Sequence, residues 1–258
     1  MSENTKPSFA AAIVAGGGPD KLARQLKVPH KALIELGGKP QIDYVIEALR
    51  QCPELDKVII VAHEAGAAPH LDTDLPIVRP QGESFVDAIE AAAEALSEFD
   101  HLVICTCDAP MLTAEAVSHF VQVCRNRPSA DLAYSVVKAS VVRAALPDTR
   151  RTTVKLVEED FTGGCLGALT RRFVDHNMSN IRRFFAARKR KIELGSLLGW
   201  RFVVKLLLRR LSLVAVIRRA EELLGCEVLV VISPHPGIAF DIDKPGDLEV
   251  ARQWAAGR

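Results

Sequence analysis

The feature that most constrains this chain is the alternation of unbroken apolar runs with segments of helical period. "FAAAIVAGG", "KVIIVAHE", "HLVICTCDAP" and "ADLAYSVVKA" are continuous β-type runs. A strand with one face in water alternates apolar and polar residues, so unbroken runs need cover on both faces. Between them, "SFVDAIEAAAEALSEF" and "TAEAVSHFVQVCRNR" space their apolar residues at helical intervals. The second segment carries Thr113 as an N-cap and Glu115 in its first turn. The expected class is α/β: a Rossmann-like, mostly parallel mixed sheet flanked by helices. In such sheets ligands gather at the carboxyl ends of the strands, where "GGG" and "CDAP" both fall.

The second half reads differently. "TTVKLVEEDFTGG" is expected to form a strand and turn, followed by helices through about Gly225. "CEVLVVIS" and "GIAFDID" read as two short strands, and "KPGDLEVARQWAAG" closes as a helix. There is no internal repeat, low-complexity tract or linker, so 258 residues are expected to form one domain (1–258) with a helical insertion at about 170–225. "MSENTKPSF" lacks the apolar core of a signal peptide, and no run approaches the roughly 18 apolar residues of a membrane span, so a cytoplasmic location is expected. The six cysteines are scattered through mostly apolar runs, as reduced, buried thiols would be. Cys105 and Cys107 share a strand face, but no second pair or histidine lies nearby to complete a zinc site.

"AAIVAGGGPDKLARQLKVPHKALIELGGKP" opens as a strand and falls into three glycines, an arrangement that lets backbone approach a phosphate. It is not a Walker A loop, which needs Gly, four residues, then Gly-Lys-Ser/Thr. A dinucleotide fingerprint also fails, because Lys21 stands where the third glycine belongs. A ligand-free strand–helix turn remains a reading. Asp108 ends a hydrophobic run just before Pro110, as either a turn cap or a cation ligand. Asp241 and Asp243 alternate with apolar residues and so share a face, while Asp247 suits the first turn of the closing helix.

Taken together, "AGG…KAL…GGKP", "CDAP" and "DIDKPGDL" resemble the MobA-like NTP transferases, nucleotidyltransferases with a glycosyltransferase-A-like fold. That family includes molybdenum-cofactor guanylyltransferases and cytidylyltransferases and the sugar-phosphate nucleotidyltransferases. The resemblance implies an Mg²⁺-dependent enzyme moving NMP from an NTP to a phosphorylated small-molecule acceptor with release of pyrophosphate. It assigns Gly16, Gly17 and Gly18 to the nucleotide loop and Lys31 to the phosphates. It gives the metal to Asp108 with Asp243 as first partner and Asp241 as second. Relatives carry Gly-x-x-Arg-Met after the glycines; here "GGGPDKLAR" leaves Lys21 or Arg24 for that arginine's work. "AGGG" favours GTP over CTP. "RPQGESFVDAIEAA" resembles the base- or ribose-contacting segment, making Gly82 and Ser84 candidates, with Ser84 equally readable as a helix N-cap.

"RTTVKLVEEDFTGGCLGAL" resembles an acceptor-binding segment with Thr-Gly-Gly-Asn, so Thr162 and Gly163 are candidate contacts. Cys165 replaces the asparagine and removes its amide. The insertion follows, including the Arg188–Lys189 pair that the resemblance places on the acceptor side. Between Arg171 and Arg219 there are fourteen Lys/Arg and two Asp/Glu, leaving nineteen basic and thirty acidic residues elsewhere. Three readings stand: basic faces packed on the acidic remainder, an electropositive wall drawing in the acceptor, or docking of "WRFVVKLLLRRLSLVAVI" on an anionic membrane, which would suit a lipid-linked phosphate. Nucleic acid is not an expected partner, since no interleaved aromatic platform is present. The changed arginine and Cys165 also leave open a non-catalytic nucleotide-binding protein of the same fold.

Overall fold

The computed structural model describes residues 6–16, 20–187 and 190–257. In chain order the strands are β1 (Phe9–Ala15), β2 (Glu35–Leu36), β3 (Lys39–Pro40), β4 (Lys57–Ala62), β5 (Ile77–Val78), β6 (His101–Thr106), β7 (Leu132–Lys138), β8 (Val154–Lys155), β9 (Asp160–Thr170) and β10 (Val228–Ser233). The helices are α1 (Lys21–Leu26), α2 (Gln41–Arg50), α3 (Phe85–Ala95), α4 (Ala114–Arg125), α5 (Ala139–Ala145), α6 (Arg171–Ala187), α7 (Lys191–Leu198), α8 (Trp200–Leu207), α9 (Leu213–Leu224) and α10 (Pro245–Ala256). The main sheet runs β10-β7-β9-β6-β1-β4-β5, with β8 paired to β9. All its pairings are parallel except those of β9. The mostly parallel mixed α/β sheet expected from the apolar runs is the one observed.

The unbroken runs are explained by burial on two sides. In β1, Phe9, Ala11, Ile13 and Ala15 join a core with α2 and α4, while Ala10, Ala12 and Val14 join one with α3 and α6. Every β1 residue is buried, so a polar substitution at any of them would face an apolar layer. Thr113 caps α4, as its position suggested, accepting from the Ala116 N–H.

Two expectations need correction. "GIAFDID" is not a strand: Pro236–Ala239 form a 3₁₀ turn and the chain then runs extended without a sheet partner. "TTVKLVEEDFTGG" does not end in a turn, because Gly163 and Gly164 lie inside the long strand β9. The pairing of β7 with β9 shifts register at Tyr134/Val136, where the Ser135 hydroxyl bonds both the N–H and the C=O of Leu166. A Cβ on Gly164 would come within 2.3 Å of that hydroxyl oxygen, so the glycine is needed for close approach rather than for a turn.

The sheet order sets the site. From β1 the chain passes to β4 on one side, while β6 lies against β1 on the other. The crevice at their carboxyl ends is therefore a topological switch point. The register pairs Val14 with Thr106, bringing Gly16 and Asp108 to the same edge.

Candidate active site

Asp108 follows β6 and is buried. Its backbone carbonyl accepts from the Ile242 N–H at 3.0 Å, fastening the closing segment to the β6 turn. Phe240 and Ile242 are fully buried in a cluster with Leu22, Leu36, Met111 and Leu248. Each such side chain contributes about 2–3 kcal/mol on burial. With the even-numbered residues turned inward, Asp241 and Asp243 turn toward Asp108, so the alternation survives without a strand. One oxygen from each of Asp108, Asp241 and Asp243 lies within 4.8 Å of the others. Gly237 makes the close packing feasible: a Cβ there would stand 2.1 Å from the Met111 carbonyl oxygen.

Lys31 completes the cluster. Its ammonium pairs with Asp108 and stands 3.6 Å from Asp243. Burial works to lower its pKa, but Asp108 and Cys107 outweigh burial and hold it well above the usual lysine range. The two residues beside it in space fix its backbone. Buried Gln41 donates its side-chain amide to the Lys31 carbonyl. Buried His30 accepts from the Ala32 N–H through Nδ1, which leaves Nε2 to donate to the Gly16 carbonyl at 3.4 Å. Burial, with Lys31 nearby, lowers the imidazole pKa despite that carbonyl and keeps it neutral at pH 7. The two-residue hairpin β2–β3 turns at Gly37 and Gly38, both with positive φ, and so delivers Gln41 at the start of α2.

Arg151 is the site residue the sequence reading missed. From the loop after α5, its guanidinium pairs with Asp241 and also donates to the Asp241 carbonyl at 2.7 Å. It pairs with Asp247 at 3.2 Å and lies 4.6 Å from the Phe240 ring centre. Asp247 accepts in turn from the N–H groups of Asp243 and Lys244, so it holds the segment rather than facing a ligand. Burial, then Asp243 and Asp108, push Asp241 up to about 6 against the pull of Arg151. Nothing in "DTRRTT" signals this role: the arginine has no periodicity or motif, and its partners lie 90 and 96 positions away.

The remaining candidates divide. Lys21 and Arg24 are both exposed on α1, whose N-cap Asp20 accepts from the Ala23 N–H. Ser84 closes a capping box with Asp87 at the start of α3, and Gly82 lies so near Asp87 that a Cβ would meet its carboxylate at 2.3 Å. Thr162 is buried in β9, and Gly163 lies under the Tyr134 hydroxyl, which a Cβ there would approach to 2.5 Å. Burial, Cys165 and Asp241 together raise the Tyr134 pKa, placing this phenol in the electrostatic reach of the carboxylate cluster. Gly17, Gly18, Arg188 and Lys189 lie outside the described residues.

The buried Oδ1 of Asp108 has no hydrogen-bond partner among the described residues. An anionic oxygen without donors is costly unless a cation satisfies it. Three carboxylates at one point form a hard donor set of the kind oxygen-seeking divalent cations prefer. Asp108, Asp241 and Asp243 therefore fit such an ion.

A mixed sheet with a lysine and converging aspartates at its switch point matches the arrangement expected of a nucleotidyltransferase-type domain of glycosyltransferase-A-like fold. Residues 11–176 match the MobA-like NTP transferase domain, and the chain belongs to that family. A hypothetical transferase from Thermus thermophilus superposes with a TM-score of 0.79 and 34% identity, covering 93% of this chain and 99% of that one. The CMP:2-keto-3-deoxy-manno-octonic acid synthetase solved with CTP shares the fold at a TM-score of 0.61 and 18% identity, covering 98% and 99%. Among curated proteins, the bifunctional protein GlmU of Rubrobacter xylanophilus is 27% identical over 56% of this chain and 29% of its own length. The molybdenum cofactor guanylyltransferase of Shewanella sp. (strain ANA-3) is 25% identical over 43% and 54%. The chain thus spans about half, or less, of the curated relatives it matches.

Proposed function

We propose that this protein transfers a nucleoside monophosphate from a nucleoside triphosphate to a phosphorylated small-molecule acceptor, releasing pyrophosphate, with Mg²⁺ held by Asp108, Asp243 and Asp241. The observation that carries this reading is the convergence of three carboxylates and Lys31 at the carboxyl ends of β1 and β6. An oxygen of the acceptor phosphate forms a bond to the α-phosphorus as the bond to the β-phosphate oxygen breaks, and the electron pair leaves with pyrophosphate. The acceptor phosphate is already ionised at neutral pH, so no general base is needed. When bound, the ion would neutralise phosphate charge and draw electron density from the α-phosphate.

The chain's own residues then have defined tasks. Lys31, whose ammonium lies between Asp108 and Asp243, reaches the phosphates and stabilises charge on the leaving group. Lys21 or Arg24 supplies a second cation on the β- and γ-phosphates. The backbone of Gly16, with Gly17 and Gly18, holds the nucleotide, and Gly82 with Ser84 borders the base or ribose. Thr162 and Gly163, with Arg188 and Lys189, receive the acceptor. GTP is the favoured donor, with CTP the alternative, because "AGGG" resembles the guanylyltransferase loop and a guanylyltransferase is among the relatives.

Pyrophosphate release should be measured with each NTP, Mg²⁺ and a panel of phosphorylated acceptors. At least one combination should turn over, and Asp108→Ala and Lys31→Ala should each lower the rate about a hundredfold or more. Full activity in either variant would remove the catalytic assignment.

A further inference from the structure

The helix α8 presents two apolar stripes, and only one of them is covered. Phe202 and Leu206 pack inward on Leu156, Phe161 and Leu211. Trp200 and Leu207, seven residues apart and so on one face, are each 75% exposed. Leu208 follows at 59%, and Val214 at the start of α9 is 56% exposed. Four large apolar side chains exposed so close together along the chain are unusual on a protein that meets only water.

Cations border the uncovered stripe. Arg201 and Lys205, four residues apart, line one edge of α8. Arg209 and Arg210 follow it, and Arg218 shares the outer face of α9 with Val214. All five are exposed, and none pairs with a carboxylate among the described residues. Other arginines of the same region are engaged. Arg172 binds Asp131, Arg182 binds Asp87 and Glu90, and Arg219 donates to the carbonyls of Leu197 and Leu198. Among the described residues of this region, one set of cations thus fastens the helices, while the five around α8 pair with no carboxylate.

We propose that α8 and the start of α9 form a docking surface for an anionic lipid bilayer. Trp200, Leu207, Leu208 and Val214 enter the boundary between headgroups and acyl chains, while Arg201, Lys205, Arg209, Arg210 and Arg218 meet lipid phosphates. Charge selects this occupant. A second copy docking through the same face would bring five cations against five, and one tryptophan among aliphatic side chains gives successive nucleic-acid bases no run of stacking rings. An anionic bilayer satisfies both the apolar stripe and its basic border. The inward stripe rests on Phe161, the residue before Thr162 and Gly163 in β9, so docking brings the acceptor side of the cluster close to the membrane.

Vesicle flotation tests this with the full chain and no nucleotide, so the result is independent of the transferase reading. The protein should float with phosphatidylcholine/phosphatidylglycerol vesicles at low salt, stay unbound with phosphatidylcholine alone, and be released by high salt. Arg201→Gln/Lys205→Gln should weaken binding about thirtyfold. Trp200→Ser/Leu207→Ser should weaken it about tenfold or more, with the fold intact because these residues are exposed. Tryptophan quenching by brominated lipid should disappear in Trp200→Phe. The proposal is overturned if no vesicles bind, if lipid charge makes no difference, if the variants bind like wild type, or if wild type self-associates through this face without lipid.

Discussion

Replacing Arg151 by methionine separates what holds the carboxylate segment from what binds a ligand. The side chains of Arg151 and Asp247 are each only 9% exposed, so removing the guanidinium leaves a buried carboxylate short of its partner. Breaking such a pair costs about 3–5 kcal/mol. Asp247 keeps the N–H groups of Asp243 and Lys244, and Asp241 reaches solvent, which puts the expectation at about 3 kcal/mol. For a chain of this length that lowers the melting temperature by about 6–12 °C. Arg151→Lys should recover only part of the loss, because an ammonium cannot fork between two carboxylates. Pairing Arg151→Met with Asp247→Asn in a double-mutant cycle, followed by denaturant unfolding, should give a coupling of about 1–2 kcal/mol. A coupling near zero, or an Arg151→Met variant that melts with wild type, would refute the clamp.

Three further outcomes follow from the geometry. Gly237→Ala should cost about 2 kcal/mol or more in thermal unfolding, because the new methyl group meets the Met111 carbonyl at 2.1 Å and must push the closing segment from the β6 turn. Asp87 is held at about 2 by Ser84 and then Arg182. Its contribution to stability is therefore complete above the unfolded carboxylate value near ~3.9 and fades as pH falls through about 2. Chemical denaturation across that window should show a shallower acid slope in Asp87→Asn. In a metal titration followed by melting temperature, Mg²⁺ should stabilise wild type and lose that effect in Asp108→Asn, since the buried Oδ1 is then an uncharged amide atom.

No helix among the described residues is long and apolar enough to cross a membrane. Contact with lipid through α8 would therefore be at the surface.

The linear chain determined the layers of this molecule, because burial on both sheet faces demands uninterrupted apolar strands and leaves a readable trace. The same chain determined that Asp241 and Asp243 point the same way, since alternation about Phe240 and Ile242 fixes their direction whether or not the segment pairs as a strand. Three things waited for the tertiary structure. Strand β9 was hidden because its glycines, read locally, signal a turn; only Ser135 and Ile238 crowding Gly164 show that they serve close packing. Arg151 was hidden because an ion pair spanning 90 or more positions has no local pattern. The unpaired cations of α8 were hidden among the paired ones, because composition counts charges while only folding decides which of them find partners.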